Sequence, residues 1–394
     1  MTKYSGTVYK YYLFTFLRDL SFFTAVLIPF YTQWGRINLT QAQILQAWFS
    51  FWILVAEVPT GAIADYLGRK WSLVIGSAVV TLSVLVYGSV PNFWVFLWAE
   101  FLFAIAAALT SGADDALLYD SLKESGREAD SKKVFGKAHS LHLLGILIAA
   151  PLGSLIAFKF GLNAPMLASA IPFLLSGLVA LSIKEPKIFD RTSEARRYLD
   201  IAKEGFLFFY KHKKLRLIAF DGIAVASAAY FVVWLYQPLL YKAGLPIAYF
   251  GLVHAFLVVC EILISVSFVR LEKFFRSPKK FLSIGAAATA LGFAVVAVFP
   301  SVYTVLLFVA LAGGFGLTRL EYLSSFMNSF IPSRERATVL SSISMFKRFA
   351  LVVLNPVVGF TADRSLMLAP LLICLLPLAV FLFSPIEHET LSDV

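Results

Sequence analysis

Twelve separate runs of mainly apolar residues recur along this chain of 394, centred near residues 21, 52, 81, 104, 148, 173, 230, 259, 292, 315, 348 and 375. A helix rises about 1.5 Å per residue and the hydrocarbon core is about 30 Å thick, so a crossing needs roughly 20 such residues. The apolar share, 59%, exceeds the roughly half found in soluble domains, and only 15% of residues are charged. These runs therefore predict a membrane protein. The first run follows Lys3 and Lys10, is longer than a signal-peptide core and lacks a small-residue cleavage site, so it reads as a retained span. Cys260 and Cys374 fall inside apolar runs and read as buried small hydrophobes, silent on redox compartment.

The net charge of +10 does not point to nucleic acid, because the basic residues are sorted by connection and form no patch interleaved with aromatics. With the N-terminus placed in the cytoplasm, 26 of the 34 Lys and Arg fall on the cytoplasmic side. Four, Arg36, Lys159, Lys242 and Arg364, fall on the external side and the remaining four lie within spans. The positive-inside rule thus predicts an integral protein of the plasma membrane with both termini cytoplasmic. Lys184 to Arg216 is the longest polar segment and holds ten basic residues. It divides the chain into a six-span bundle (1–184), a cytoplasmic linker (185–214), a second six-span bundle (215–386) and a tail (387–394). The halves echo at an offset of about 205: Pro151 and Gly153 against Pro356 and Gly359, and Glu57 against Glu261. Parallel six-helix repeats of this kind are a transporter architecture.

Spans three, six, nine and twelve carry no Asp, Glu, Lys, Arg or His, while each of the other eight carries at least one. An intramembrane charge facing lipid costs about 2.5–3.5 kcal/mol even on lenient scales. Every third helix is therefore expected at the periphery, with the other eight around a polar centre.

The stretch TGAIADYLGRKWS, residues 60–72, lies between spans two and three. Its Gly61, Asp65, Gly68, Arg69 and Lys70 resemble the signature of the major facilitator superfamily at that connection, with Tyr66 standing where the family has a basic residue. With the twelve spans and central linker, the resemblance covers nearly the whole chain. It implies an all-α fold of twelve transmembrane helices in two six-helix bundles with pseudo-twofold symmetry. Gly61 is expected to let helices approach closely and Gly68 to take a turn conformation. Asp65 ends one helix and Arg69 begins the next, each at the dipole end that disfavours it, so partners on other elements are expected. The resemblance implies a conformational latch in which Asp65 meets the start of span eleven near Ser333 to Arg336. Arg69 would pair with an acidic residue at the end of span four, where Asp115 and Asp120 are available. Elsewhere Glu100 and Ala104 stand where family members have arginine and glycine. Gly145, Ala150, Pro151 and Gly153 partly match the span-five stretch of antiporters. The loop from Ile331 resembles that of drug-efflux members.

Candidate substrate- or proton-coupling residues are Arg18, Asp19, Glu57, Glu100, Asp114, Tyr230, Trp234, Arg319, Glu321, Lys347 and Arg348. Helical spacing puts Glu100, Ala104, Ala107, Ser111 and Asp114 on one face, and Ser341, Ser344, Arg348 and Asn355 on another. Arg319 and Glu321 point to nearly opposite sides of a regular helix unless Gly313, Gly314 and Gly316 distort it. Glu321 with Lys347 or Arg348 is the most natural pair. Ser227, Tyr230, Trp234 and Tyr241 form an aromatic stripe that suits either packing or an organic substrate. His139 and His142 lack the companions that a metal site needs. No phosphate loop, zinc-protease pattern or nucleophile elbow occurs, so no enzyme, metal or cofactor is expected.

The resulting expectation is a monomeric secondary transporter of a small organic solute in the lipid bilayer, working by alternating access. Its first reading is drug-like efflux driven by the proton gradient, with Asp19, Asp114, Asp115 and Glu321 as proton carriers. The alternatives are an organic anion or other metabolite as cargo, and a receptor or scaffold that has lost transport.

Overall fold

The computed structural model describes residues 5–186, 207–332, 336–384 and 386; the side chains of residues 5, 58, 62, 65 and 336–338 lie outside the description. The described residues are mostly helical, with no strand among them. Among the described residues, ten helices are long and apolar enough to cross a membrane. The two remaining runs are the first, which is interrupted, and the last, Leu368–Phe383. Wide apolar side chains such as Trp94, Trp98, Phe158 and Phe160 are exposed, as a lipid-facing surface requires.

The chain divides into two compact units, Met1–Arg196 with Ile247–Leu252, and Arg197–Pro246 with Val253–Val394. In the first unit span two is Leu39–Leu67, opened by an Asn38/Gln41 capping box. Span three is Arg69–Ser89, and the two are separated only by Gly68 at φ +101°. That left-handed backbone suits glycine, and it lets two long helices meet in a one-residue connection. Span five is Ser131–Phe160, and span six comprises Ala164–Ala168 and Ala170–Ser182. Glycine at 251 groups with this unit, where an added Cβ would stand 2.1 Å from the Ala150 carbonyl oxygen.

Two spans of this unit are broken, and the breaks shape its interior. Span one runs as a helix from Ser5 to Arg18, loses regular structure, and resumes as a 3₁₀ turn at Thr24–Val26 and a π-helix at Phe30–Trp34. Span four runs Phe93–Thr110, turns at Gly112 (φ +76°), and restarts as Ala113–Glu124. Span five accommodates the first break with glycines. A Cβ on Gly153 would sit 1.7 Å from the Phe22 carbonyl oxygen, and one on Gly145 3.1 Å from that of Phe16. The Phe22 amide, freed from helix bonding, donates to Ser169 Oγ of span six at 3.0 Å.

In the second unit spans seven, nine and eleven are Lys213–Lys242, Pro278–Val298 and Arg336–Arg364. Span eight comprises Phe250–Val266 and Phe268–Phe275. Span ten carries a nine-residue π-helix, Val309–Leu317, over the stretch containing Gly313, Gly314 and Gly316. A core of Ile218, Phe281, Tyr322, Leu323, Met327 and Ile343 ties spans seven, nine, ten and eleven together.

Candidate functional site

The broken ends of spans one and four meet inside the first unit. Arg18 closes its helix, and Asp114 and Asp115 occupy the first turn of theirs. A cation at a helix C-terminus and carboxylates at an N-terminus are each favoured by the helix dipole. The breaks therefore place opposite charges where both dipoles support them. Arg18 Nη1 donates to Asp114 Oδ2 at 2.6 Å, and its Nη2 lies 3.4 Å from Asp19 Oδ2. His142 of span five brings Nδ1 within 2.9 Å of the same Asp19 oxygen, and its ring stacks near His139. Asp115 accepts from the Tyr11 hydroxyl at 3.3 Å.

Arg18, Asp19 and Asp114 line a cavity of about 320 Å³, with Ser21, Ser111, Phe103 and Phe173 also in its wall. That volume is at the small end of ligand sites, and the mixture of aromatic surface with a few convergent charges is typical of them. Gly76, Ser77 and Val80 of span three and Phe173 of span six also line it. Spans expected to be only peripheral thus form part of the wall with uncharged groups.

Glu100 lies apart from this cavity. It is buried, accepts from Gln46 Nε2 at 2.8 Å and from the Tyr87 hydroxyl, and Tyr87 lies 3.1 Å from the Tyr31 hydroxyl. Helical spacing places it on a face with Asp114, but the break at Gly112 ends that register. Gln46 and Tyr87 escape a search for charges; the available signal is that Gln46 and Glu100 each stand seven residues into helices that start on the same side. Glu57 is half-buried and has no ion-pair partner among the described residues.

At the 60–72 connection Arg69 Nη1 donates to Asp120, which resolves the choice between Asp120 and Asp115. The proposed contact of Asp65 with Ser333 to Arg336 lies outside the described side chains. Gly61 is a correction: an added Cβ there would meet nothing within 4 Å, so no close helix approach requires it. Glu185, beyond span six, is a contributor that the sequence reading missed. Its two oxygens accept from the backbone amides of Arg69 and Lys70 at 2.8 Å each, capping span three in place of a side chain from its own connection. The Lys70 ammonium lies 5.8 Å over the Trp71 ring.

The second unit separates residues that were expected together. Arg319 is enclosed by Asp221 Oδ1 at 2.8 and 2.5 Å and by the Leu282 carbonyl at 2.6 Å, while Ser384 Oγ donates to Asp221 Oδ2 at 2.6 Å. With Arg319 and Asp221 both nearly inaccessible, this pair joins spans seven, nine and ten, and Arg319 borders a second cavity of about 190 Å³ together with Lys279, Ser283 and Ser384. The expected pair of Glu321 with Lys347 or Arg348 is likewise corrected. Glu321 is exposed and accepts from Ser265 at 3.3 Å, within electrostatic reach of Lys347 but outside ion-pair distance. Lys347 and Arg348 are half-buried without a carboxylate in contact among the described residues. On span seven Tyr230 and Trp234 stand 6.0 Å apart, while Tyr241 is exposed. Ser227 Oγ, the Trp234 indole nitrogen and both side-chain polar atoms of Asn355 are buried without a hydrogen-bond partner among the described residues. Among the described residues no group of three or more His, Cys, Asp or Glu is placed to hold a metal ion.

Residues 11–353 match the Major Facilitator Superfamily. The chain is 24% identical over 218 residues to an uncharacterized MFS-type transporter of Methanocaldococcus jannaschii, covering 55% of this chain and 54% of that protein. It is 27% identical over 141 residues to the probable vesicular acetylcholine transporter-B of Danio rerio, covering 36% of this chain and 28% of the relative. The matches thus span about half of the first relative and under a third of the second. Among solved structures, a bacterial homolog of the human lysosomal transporter Spinster aligns with a TM-score of 0.80 at 14% identity, covering 100% of this chain and 99% of the other. A D-xylose-proton symporter aligns with a TM-score of 0.72 at 14% identity, covering 98% of each chain. At such identities the likeness is one of fold. Twelve apolar runs, charge clusters held inside helical bundles and a family match over most of the sequence agree: the chain belongs to the major facilitator superfamily, whose members are membrane transporters and not enzymes.

Proposed function

We propose that the chain exports small, drug-like organic cations across the plasma membrane by alternating access, driven by the proton gradient, as a monomer with both termini cytoplasmic. The observation that carries this reading is the cavity of the first unit. Its ionised wall contains one guanidinium, Arg18, against two carboxylates, Asp19 and Asp114, with the rings of Phe103 and Phe173 beside them. An excess of negative charge with aromatic faces suits an amine or quaternary ammonium group. The zebrafish relative is named as a probable vesicular acetylcholine transporter, and acetylcholine is such a cation.

Thermal-shift titration of the purified protein with tetraphenylphosphonium and with choline esters tests the reading, since a ligand stabilises the state it binds. Binding of at least one of these cations is expected, weakened about tenfold or more in Asp114→Asn. Stabilisation by organic carboxylates alone would replace this reading with the second one. That reading, an organic anion as cargo, is supported by Lys347 and Arg348, which are half-buried in the second unit without a carboxylate in contact among the described residues.

A further inference from the structure

We propose that Glu100 is a proton-binding residue, which takes up and releases one proton beside the Tyr87 and Tyr31 hydroxyls at a place separate from the charged cavity. The proposal rests on the transporter reading for its purpose but not for its chemistry.

Glu100 is 5% exposed, and its two oxygens are engaged by neutral donors, the Gln46 amide and the Tyr87 phenol. Among the described residues no lysine, arginine or histidine pairs with it. Asp114 and Asp221, by contrast, each meet an arginine. A carboxylate held in an apolar interior without a cation is costly, and a bound proton removes that cost.

The surroundings accommodate both forms. With Glu100 ionised, Gln46 and Tyr87 each donate to one oxygen. With Glu100 protonated on Oε2, the new O–H donates to the Tyr87 oxygen, and Tyr87 turns its own hydrogen to Tyr31, whose oxygen lies 3.1 Å away. A hydroxyl is donor and acceptor at once, so the chain reverses by rotation of hydrogens while the heavy atoms stay in place. One proton enters, one negative charge is neutralised, and no hydrogen bond of the carboxyl group is lost.

The packing also controls access. Glu100 stands seven residues into Phe93–Thr110, about 10 Å along the helix from its start. Between it and that end lie Phe30, Tyr31, Trp34, Tyr87 and Phe96, with Phe30 stacked on Trp34 at 4.9 Å and Tyr87 5.3 Å from Phe96. The π-helix Phe30–Trp34 presents this group, and Gly35 permits its closeness, since a Cβ there would stand 2.6 Å from the Phe96 ring. The titratable groups facing Glu100 from neighbouring elements are Tyr87 of span three and Tyr31 of span one; span two offers only the uncharged Gln46. Water reaches the carboxyl group when the aromatic lid loosens, and the proton is exchanged then.

Infrared difference spectroscopy of the full-length protein in lipid, titrated with pH in H₂O and D₂O, reads the proton itself. A protonated-carboxyl C=O band that disappears as pH rises, shifts in D₂O and is lost in Glu100→Gln is expected. Tyr87→Phe should move the same band, and this variant decides the matter if Glu100→Gln does not fold. The absence of any titrating band from the wild type, or a band untouched by both substitutions, would overturn the proposal. Cation binding in the thermal-shift assay would survive that result, so the two readings fail separately.

Discussion

Arg18 and Arg319 are both arginines inside a membrane bundle, yet their surroundings give them different work. Arg319 spends its donors on Asp221 and the Leu282 carbonyl and is 3% exposed, whereas Arg18 is 27% exposed and stands beside Asp19 and Asp114 in a cavity wall. Removing one partner of a buried pair leaves an uncompensated charge and costs about 3–5 kcal/mol. Asp221→Ala should lower stability by about that amount in detergent unfolding curves, and Asp221→Leu with Arg319→Met should recover most of it. Asp114→Asn, at the cavity, should change stability far less than cation binding. The list of charged residues was legible in the sequence, but their pairing was not. Arg319 meets a residue 98 positions away, and Glu321 two positions on points elsewhere. Helical spacing ranks faces within a span; it says nothing of which neighbouring span covers each face.

At the scale of the element, the breaks matter more than the helices. A continuous apolar run reads as one regular helix, so residues 19–23 and the π-helices at Phe30–Trp34 and Val309–Leu317 leave little trace in periodicity. The glycines leave more, once each is matched with what it touches. Gly153→Ala drives a methyl group into the Phe22 carbonyl and should abolish folded, monodisperse protein on size exclusion. Gly61→Ala meets nothing and should leave the melting temperature unchanged or slightly raised, by up to about 1 kcal/mol in stability. The family signature led to the correct partner set for Arg69, because its charges lie in a short connection whose geometry admits few alternatives. Gly61 belongs to the same motif but carries no packing burden here.

For the whole molecule, the apolar runs were readable because lipid imposes a length that no packing detail overrides, whereas the central polar segment falls largely outside the described residues. Single cysteines at Pro91 and at Thr390, in a background lacking Cys260 and Cys374, should react oppositely with an impermeant maleimide on intact cells: the first labelled, the second only after permeabilisation. Labelling of the second on intact cells would reverse the proposed orientation. Glu185 has a consequence of another kind. Because it grips main-chain amides and not side chains, the anchor does not register which residues occupy positions 69 and 70. Substitution at either position leaves those two amide bonds in place, proline excepted, and a tether indifferent to side-chain identity keeps the Arg69 guanidinium available for its pair with Asp120.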